Sequence, residues 1–97
     1  MSDLKVIRQA TTMDTKLTYE FDVLGFRFLV KNFTEDNIYV TFDELEEDKN
    51  KMILIPKKTA QLLLANETPE LKYGVQNIYV IPQDDSAEGV EIQCVLW

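Results

Sequence analysis

Leu17-Thr18-Tyr19-Glu20-Phe21-Asp22-Val23 decides the class of the fold, because its apolar and polar residues alternate without a break. A period of two puts Leu17, Tyr19, Phe21 and Val23 on one face of a β-strand, with Lys16, Thr18, Glu20 and Asp22 on the other. Gly25, which is free to take turn conformations that side chains disfavour, then precedes a second alternation of Phe26, Phe28 and Val30 with Arg27, Leu29 and Lys31. Residues 17–31 therefore read as two strands, or as one strand with a bend.

Downstream, Asn32-Phe33-Thr34-Glu35-Asp36-Asn37 is polar around one aromatic, and its Asn, Thr and Asp side chains can hydrogen-bond locally in a turn. Ile38, Val40 and Phe42 next alternate with Tyr39, Thr41 and Asp43, so residues 26–43 are predicted to form a β-hairpin. Asp43-Glu44-Leu45-Glu46-Glu47-Asp48-Lys49-Asn50 is too charged for a core strand and reads as an exposed loop. Met52 to Ile55 is a short apolar strand that Pro56 ends. In Thr59 to Asn66 the Ala, Gln and Leu residues favour helix, but an all-β context favours a strand, which is the reading adopted. Glu67 to Tyr73 is polar and leads to Gly74. Val75 to Ile81 is a strand stopped by Pro82, Asp84 to Gly89 is a loop, and Val90, Ile92, Cys94 and Leu96 alternate with Glu91, Gln93, Val95 and Trp97 in a last strand. Leu4 to Gln9 supplies a strand at the front, although residues 1–15 also read as a loosely ordered arm.

About seven or eight short strands with no helix–strand alternation predict one all-β domain over residues 1–97, a two-sheet antiparallel sandwich or a jelly roll. A chain of 97 residues supports one hydrophobic core, and 45% hydrophobic residues are enough to build it. The shared Ile-Tyr-Val of residues 38–40 and 78–80 reflects composition rather than a repeat.

Charge and chemistry narrow the function. The net charge of -7 repels phosphate backbones and anionic lipid, so no nucleic-acid or membrane partner is expected. The first residues lack the basic flank and apolar run of a secretory signal, and no apolar stretch approaches the roughly 20 residues of a membrane span, which predicts synthesis in the cytoplasm. Two Asn-x-Thr triplets, at Asn32 and Asn66, then read as chance matches. With no histidine in the chain, imidazole proton shuttles, triads and metal sites are excluded. Cys94, the single cysteine, shares the apolar stripe of Val90, Ile92 and Leu96, which predicts a buried packing role. Three scattered glycines make no phosphate loop. The 43–48 run lacks the spacing of a calcium loop, so Glu44, Glu46, Glu47 and Asp48 are expected to serve as a solvated or partner-contacting surface. No metal, cofactor or catalytic group is predicted. Tyr39, Tyr79 and Trp97 fall opposite the predicted core stripes and are the aromatic candidates for contact with another protein.

Five stretches carry a family resemblance: Phe28-Leu29-Val30-Lys31-Asn32-Phe33-Thr34; Asn37-Ile38-Tyr39-Val40-Thr41-Phe42; Ile53-Leu54-Ile55-Pro56 with Ala60-Gln61; Ile78-Tyr79-Val80; and Gly89-Val90-Glu91-Ile92-Gln93-Cys94-Val95-Leu96-Trp97. Together they resemble small β-sandwich proteins encoded among the virion structural genes of tailed phages and prophages of Gram-positive bacteria. The resemblance covers residues 20–97; the family often has Gly before the strand at Ile38, where this chain has Glu35-Asp36-Asn37. It implies a non-enzymatic accessory virion protein of the head-decoration or head-tail type, made in the bacterial host cytoplasm and associated with the virion. Its partners would be other virion proteins or further copies of itself, with Trp97 and an edge strand as contacts. A different class fits the same residues, a β-sandwich module that binds carbohydrate or a cell-surface ligand through Tyr39, Tyr79 and the loop carboxylates.

Overall fold

The computed structural model describes residues 5–65 and 73–97. Among the described residues there are eight strands: β1 (Lys5–Thr11), β2 (Leu17–Gly25), β3 (Arg27–Asn32), β4 (Ile38–Thr41), β5 (Ile53–Ile55), β6 (Ala60–Leu64), β7 (Val75–Pro82) and β8 (Ser86–Leu96). They make two antiparallel four-stranded sheets, sheet A in the order β1-β8-β3-β6 and sheet B in the order β2-β7-β4-β5. β1 pairs with β8, β2 with β7, β3 with β6 and β4 with β5, so the chain doubles back at the β4–β5 turn and the resulting long hairpin is rolled up. That is the jelly-roll arrangement, one of the two all-β forms expected from the strand count.

The alternations place themselves as the sequence predicts. Tyr19 and Phe21 from β2, Phe28 and Val30 from β3, Ile38 and Val40 from β4, Ile78 and Val80 from β7, and Val90 and Ile92 from β8 meet in one buried cluster between the sheets. Phe21 and Phe28 come from different sheets and pack with ring centroids 5.4 Å apart. Tyr19 spans the same gap with its hydroxyl, which donates to the Val90 carbonyl at 2.8 Å; a buried polar tip is thereby satisfied and the sheets are pinned together. Residues 59–66 do hold a strand, β6, in which Leu63 alone of three consecutive leucines points into the core.

The predicted 26–43 hairpin does not form. β3 lies in sheet A and β4 in sheet B, so the chain crosses from one sheet to the other between them. The reason is Asn32, which is 1% exposed. Its amide nitrogen donates to the Asp36, Pro56 and Ile55 carbonyls at 2.9, 3.1 and 3.2 Å, while its oxygen accepts from the Thr34 N–H and hydroxyl at 2.9 and 2.7 Å. The hydrogen-bonding capacity expected to close a hairpin turn instead clips the end of β3 to the end of β5 in the other sheet. The same burial leaves no room for a glycan on Asn32, and the Asn66 triplet lies outside the described residues, as does most of the polar 67–73 stretch.

The remaining differences sit at strand ends. The predicted 84–89 loop is shorter, because β8 begins at Ser86. Gly89 within it has φ +69°, and a Cβ there would collide with the Gln9 backbone of β1, so this close approach between strands needs glycine. At the front, β1 is a paired edge strand from Lys5 onward rather than an arm, and the turn after it is tied back by Asp14 N–H to the Pro82 carbonyl at 2.8 Å.

Candidate contact surfaces

The two outer faces of the sandwich are finished differently. On sheet B the outward residues of β7 and β4 include Tyr79, Ile81, Tyr39 and Thr41, and they are covered from the β4–β5 connection. Lys16 lies with Nζ 5.9 Å from the Tyr79 ring centroid, and the same Nζ donates to the Glu44 and Glu46 carbonyls at 2.8 and 3.3 Å. Lys49 lies 5.4 Å from the Tyr39 ring centroid and donates to Asp14 and Gln83. Two lysine stems therefore staple the acidic loop over two aromatic rings, which combines apolar cover with cation–π attraction.

That arrangement revises the aromatic candidates. Tyr79 is 6% exposed and cannot stack on a sugar or a partner, and Tyr39 is half-buried. Trp97 remains 40% exposed at the end of β8, with Lys5 Nζ 5.9 Å from its ring. Glu44, Glu47 and Asp48 are exposed as expected, while Glu46 is half-buried and its carboxylate accepts from the Asp48 N–H at 3.1 Å. Asp14, outside the loop, is held below the usual carboxylate range by hydrogen bonds from Lys49 and Gln83. Among the described residues no three carboxylates or thiols converge on a metal-sized site, and no helix is long and apolar enough to cross a membrane. Cys94 is buried as predicted, and desolvation pushes its thiol pKa up.

Among the described residues, sheet A leaves several apolar side chains of its outer face exposed. The register aligns Val6, Gln93, Leu29 and Leu62 across its four strands, and Leu64 lies beside Arg27 one row on. Where β8 bulges opposite Arg27 and Phe28, Val95 and Leu96 both stay exposed. A further row aligns Arg8, Glu91, Lys31 and Ala60. Glu91 is 9% exposed at its centre, with Arg8 3.2 Å away on one side and Lys31 3.5 Å away on the other. Its carboxyl titrates below the ordinary range, first through the hydrogen bond from Gln93 and then through Arg8 and Lys31. At the far end of the row a shallow depression of about 180 Å³ opens between Lys31, Asn32, Phe33, Lys58, Thr59 and Ala60.

Reading the sequence for aromatics missed this face, although its signal was present. Three leucines in a row, Leu62 to Leu64, cannot all face inward from a strand, so at least one had to be left outside once 59–66 was read as β, and the structure leaves Leu62 and Leu64 there. Leu45, 84% exposed between Glu44 and Glu46, was hidden in the same way by the charges around it. Comparison of the chain with protein-family models, with curated proteins and with solved structures returned no match, so the surfaces themselves carry the functional reading.

Proposed function

We propose that the chain is a non-enzymatic structural protein, an accessory component of a tailed-phage or prophage virion that works through contacts with other proteins. One observation carries this reading: the outer face of sheet A, where Val6, Leu62, Leu64, Val95 and Leu96 are all exposed on one sheet. Exposed apolar patches of this kind, rimmed by charge, mark interaction sites more often than they mark tolerated surface. The jelly roll adds weaker support, since it recurs in viral capsid domains but also in lectins, and a fold does not define a function. The strand-and-turn resemblance to virion proteins of Gram-positive phages points the same way. In the carbohydrate-module alternative Tyr79 would have to shed Lys16 and the acidic loop before it could meet a sugar.

The test is incorporation into particles. Particles released from the strain that carries the gene are purified through a density gradient, and this chain is quantified by mass spectrometry against the shell and tail proteins. The expected result is co-migration at a fixed copy ratio. Recovery of the chain only in the soluble fraction, with intact particles lacking it, overturns the reading.

A further inference from the structure

We infer that the protein assembles head to tail with further copies of itself, the Leu45 tip of one copy seating on the outer face of sheet A of the next. The inference rests on the reading of the chain as a contact-making structural component and names its partner.

The receptor is set by chemistry already described. In the aligned rows of this face Arg8, Arg27 and Lys31 stand with one carboxylate, that of Glu91, on a chain whose net charge is -7. Around them the apolar contacts come from Leu29, Leu62, Leu64 and Val95. Phe33 packs its ring 5.1 Å from the Arg8 guanidinium at one end of this face, and Leu62, Leu64 and Val95 stay exposed beyond it. A partner for it must be apolar at its centre and acidic around it.

The 43–48 loop has that composition, and hydrogen bonds fasten its backbone. Leu45 is the most exposed of the large apolar side chains described, and Glu44, Glu46, Glu47 and Asp48 surround it in sequence. Its own N–H donates to the Asp43 carboxylate at 2.9 Å, the Glu46 N–H to the Asp43 carbonyl at 3.1 Å, and Lys16 anchors the carbonyls on both sides of it. Bonds of this kind lower the backbone freedom that docking of Leu45 would otherwise remove.

Geometry then chooses among the ways two copies could meet. The loop lies against the outer face of sheet B and the receptor is the outer face of sheet A, so the two features lie on opposite sides of the sandwich and one molecule cannot satisfy itself. Two sheet A faces meeting about a two-fold axis would bring together two surfaces that each carry more cations than anions in their aligned rows. Loop against face brings carboxylates to those cations, and because the two patches differ the contact is heterologous, propagating into a ring or a filament.

Sedimentation velocity on the full chain tests this. The wild type is expected to self-associate with rising concentration, and less so at high salt, because the pairs across the contact are exposed and screened. Leu45→Asp and Leu62→Asp should each raise the dissociation constant by at least about tenfold. Leu45→Asp keeps a sound receptor and Leu62→Asp keeps a sound tip, so an equimolar mixture should form a one-to-one heterodimer and stop there. Arg27→Glu, on a different strand, checks that any loss in Leu62→Asp is not a local defect of β6 and should behave as Leu62→Asp does, with the wild-type circular dichroism spectrum. A wild type that stays monomeric at every concentration overturns the inference, as does a Leu45→Asp that associates like the wild type, or a mixture that remains monomeric. Incorporation into particles is a separate measurement, so a monomer found in virions would sink this inference and leave the proposed function standing.

Discussion

Single residues carry unusual weight where the two sheets touch. Tyr19→Phe removes the hydroxyl that donates to the Val90 carbonyl, and loss of that buried hydrogen bond should cost about 0.5–1.5 kcal/mol in urea unfolding. Burial pushes the Tyr19 phenol well above its ordinary titration range, so in the native protein it should stay un-ionised in absorbance titrations until the fold is lost. Gly89→Ala meets two obstacles, a φ of +69° and the Gln9 backbone where the new methyl would sit. The left-handed backbone alone costs about 1–2 kcal/mol, and the collision adds to it, so the variant should lose more than Tyr19→Phe does. A Gly89→Ala protein with an unchanged urea midpoint would show that β1 and β8 are looser at this point than the geometry implies.

Among the elements, the charged row of sheet A sets a pH response. Because the folded Glu91 carboxyl titrates below its ordinary value of 4.5, the stability it supplies is complete above that value and is lost as pH falls through the lower native one. Glu91→Gln should therefore flatten the acid side of the stability curve, read as urea midpoints between about pH 5 and 2. Asp14, lowered in the same direction by Lys49 and Gln83, should leave a residual slope in that variant. The elements also show what could be read from the chain alone. Period two exposed nearly every strand, since each inward residue contacts a neighbour of the same kind and the pattern is local. The partner of each strand was not legible, because Asn32 can close a turn or clip two sheets with the same hydrogen bonds, and only the distant Ile55 and Pro56 carbonyls decide between them. Surface roles were misread for a related reason. Tyr79 alternates as an exposed residue should, and nothing within ten positions announces that Lys16 and the acidic loop will cover it.

At the scale of the whole molecule, pairing of distant segments governs behaviour. Lys5 opposes Cys94 and Leu17 opposes Val80, and apart from β4 with β5 no strand pairs with its immediate successor. Loop closure over such separations must be achieved before the contacts that reward it, so refolding after dilution from urea should relax over about milliseconds to seconds rather than microseconds. Stopped-flow tyrosine and tryptophan fluorescence would measure it, and a microsecond phase carrying the full amplitude would contradict the dominance of distant pairing. The place of β8 between β1 and β3 has a further consequence during synthesis. Until residues 86–96 are in place, β1 and β3 lack the strand that joins them in sheet A, and their core faces have no cover from it.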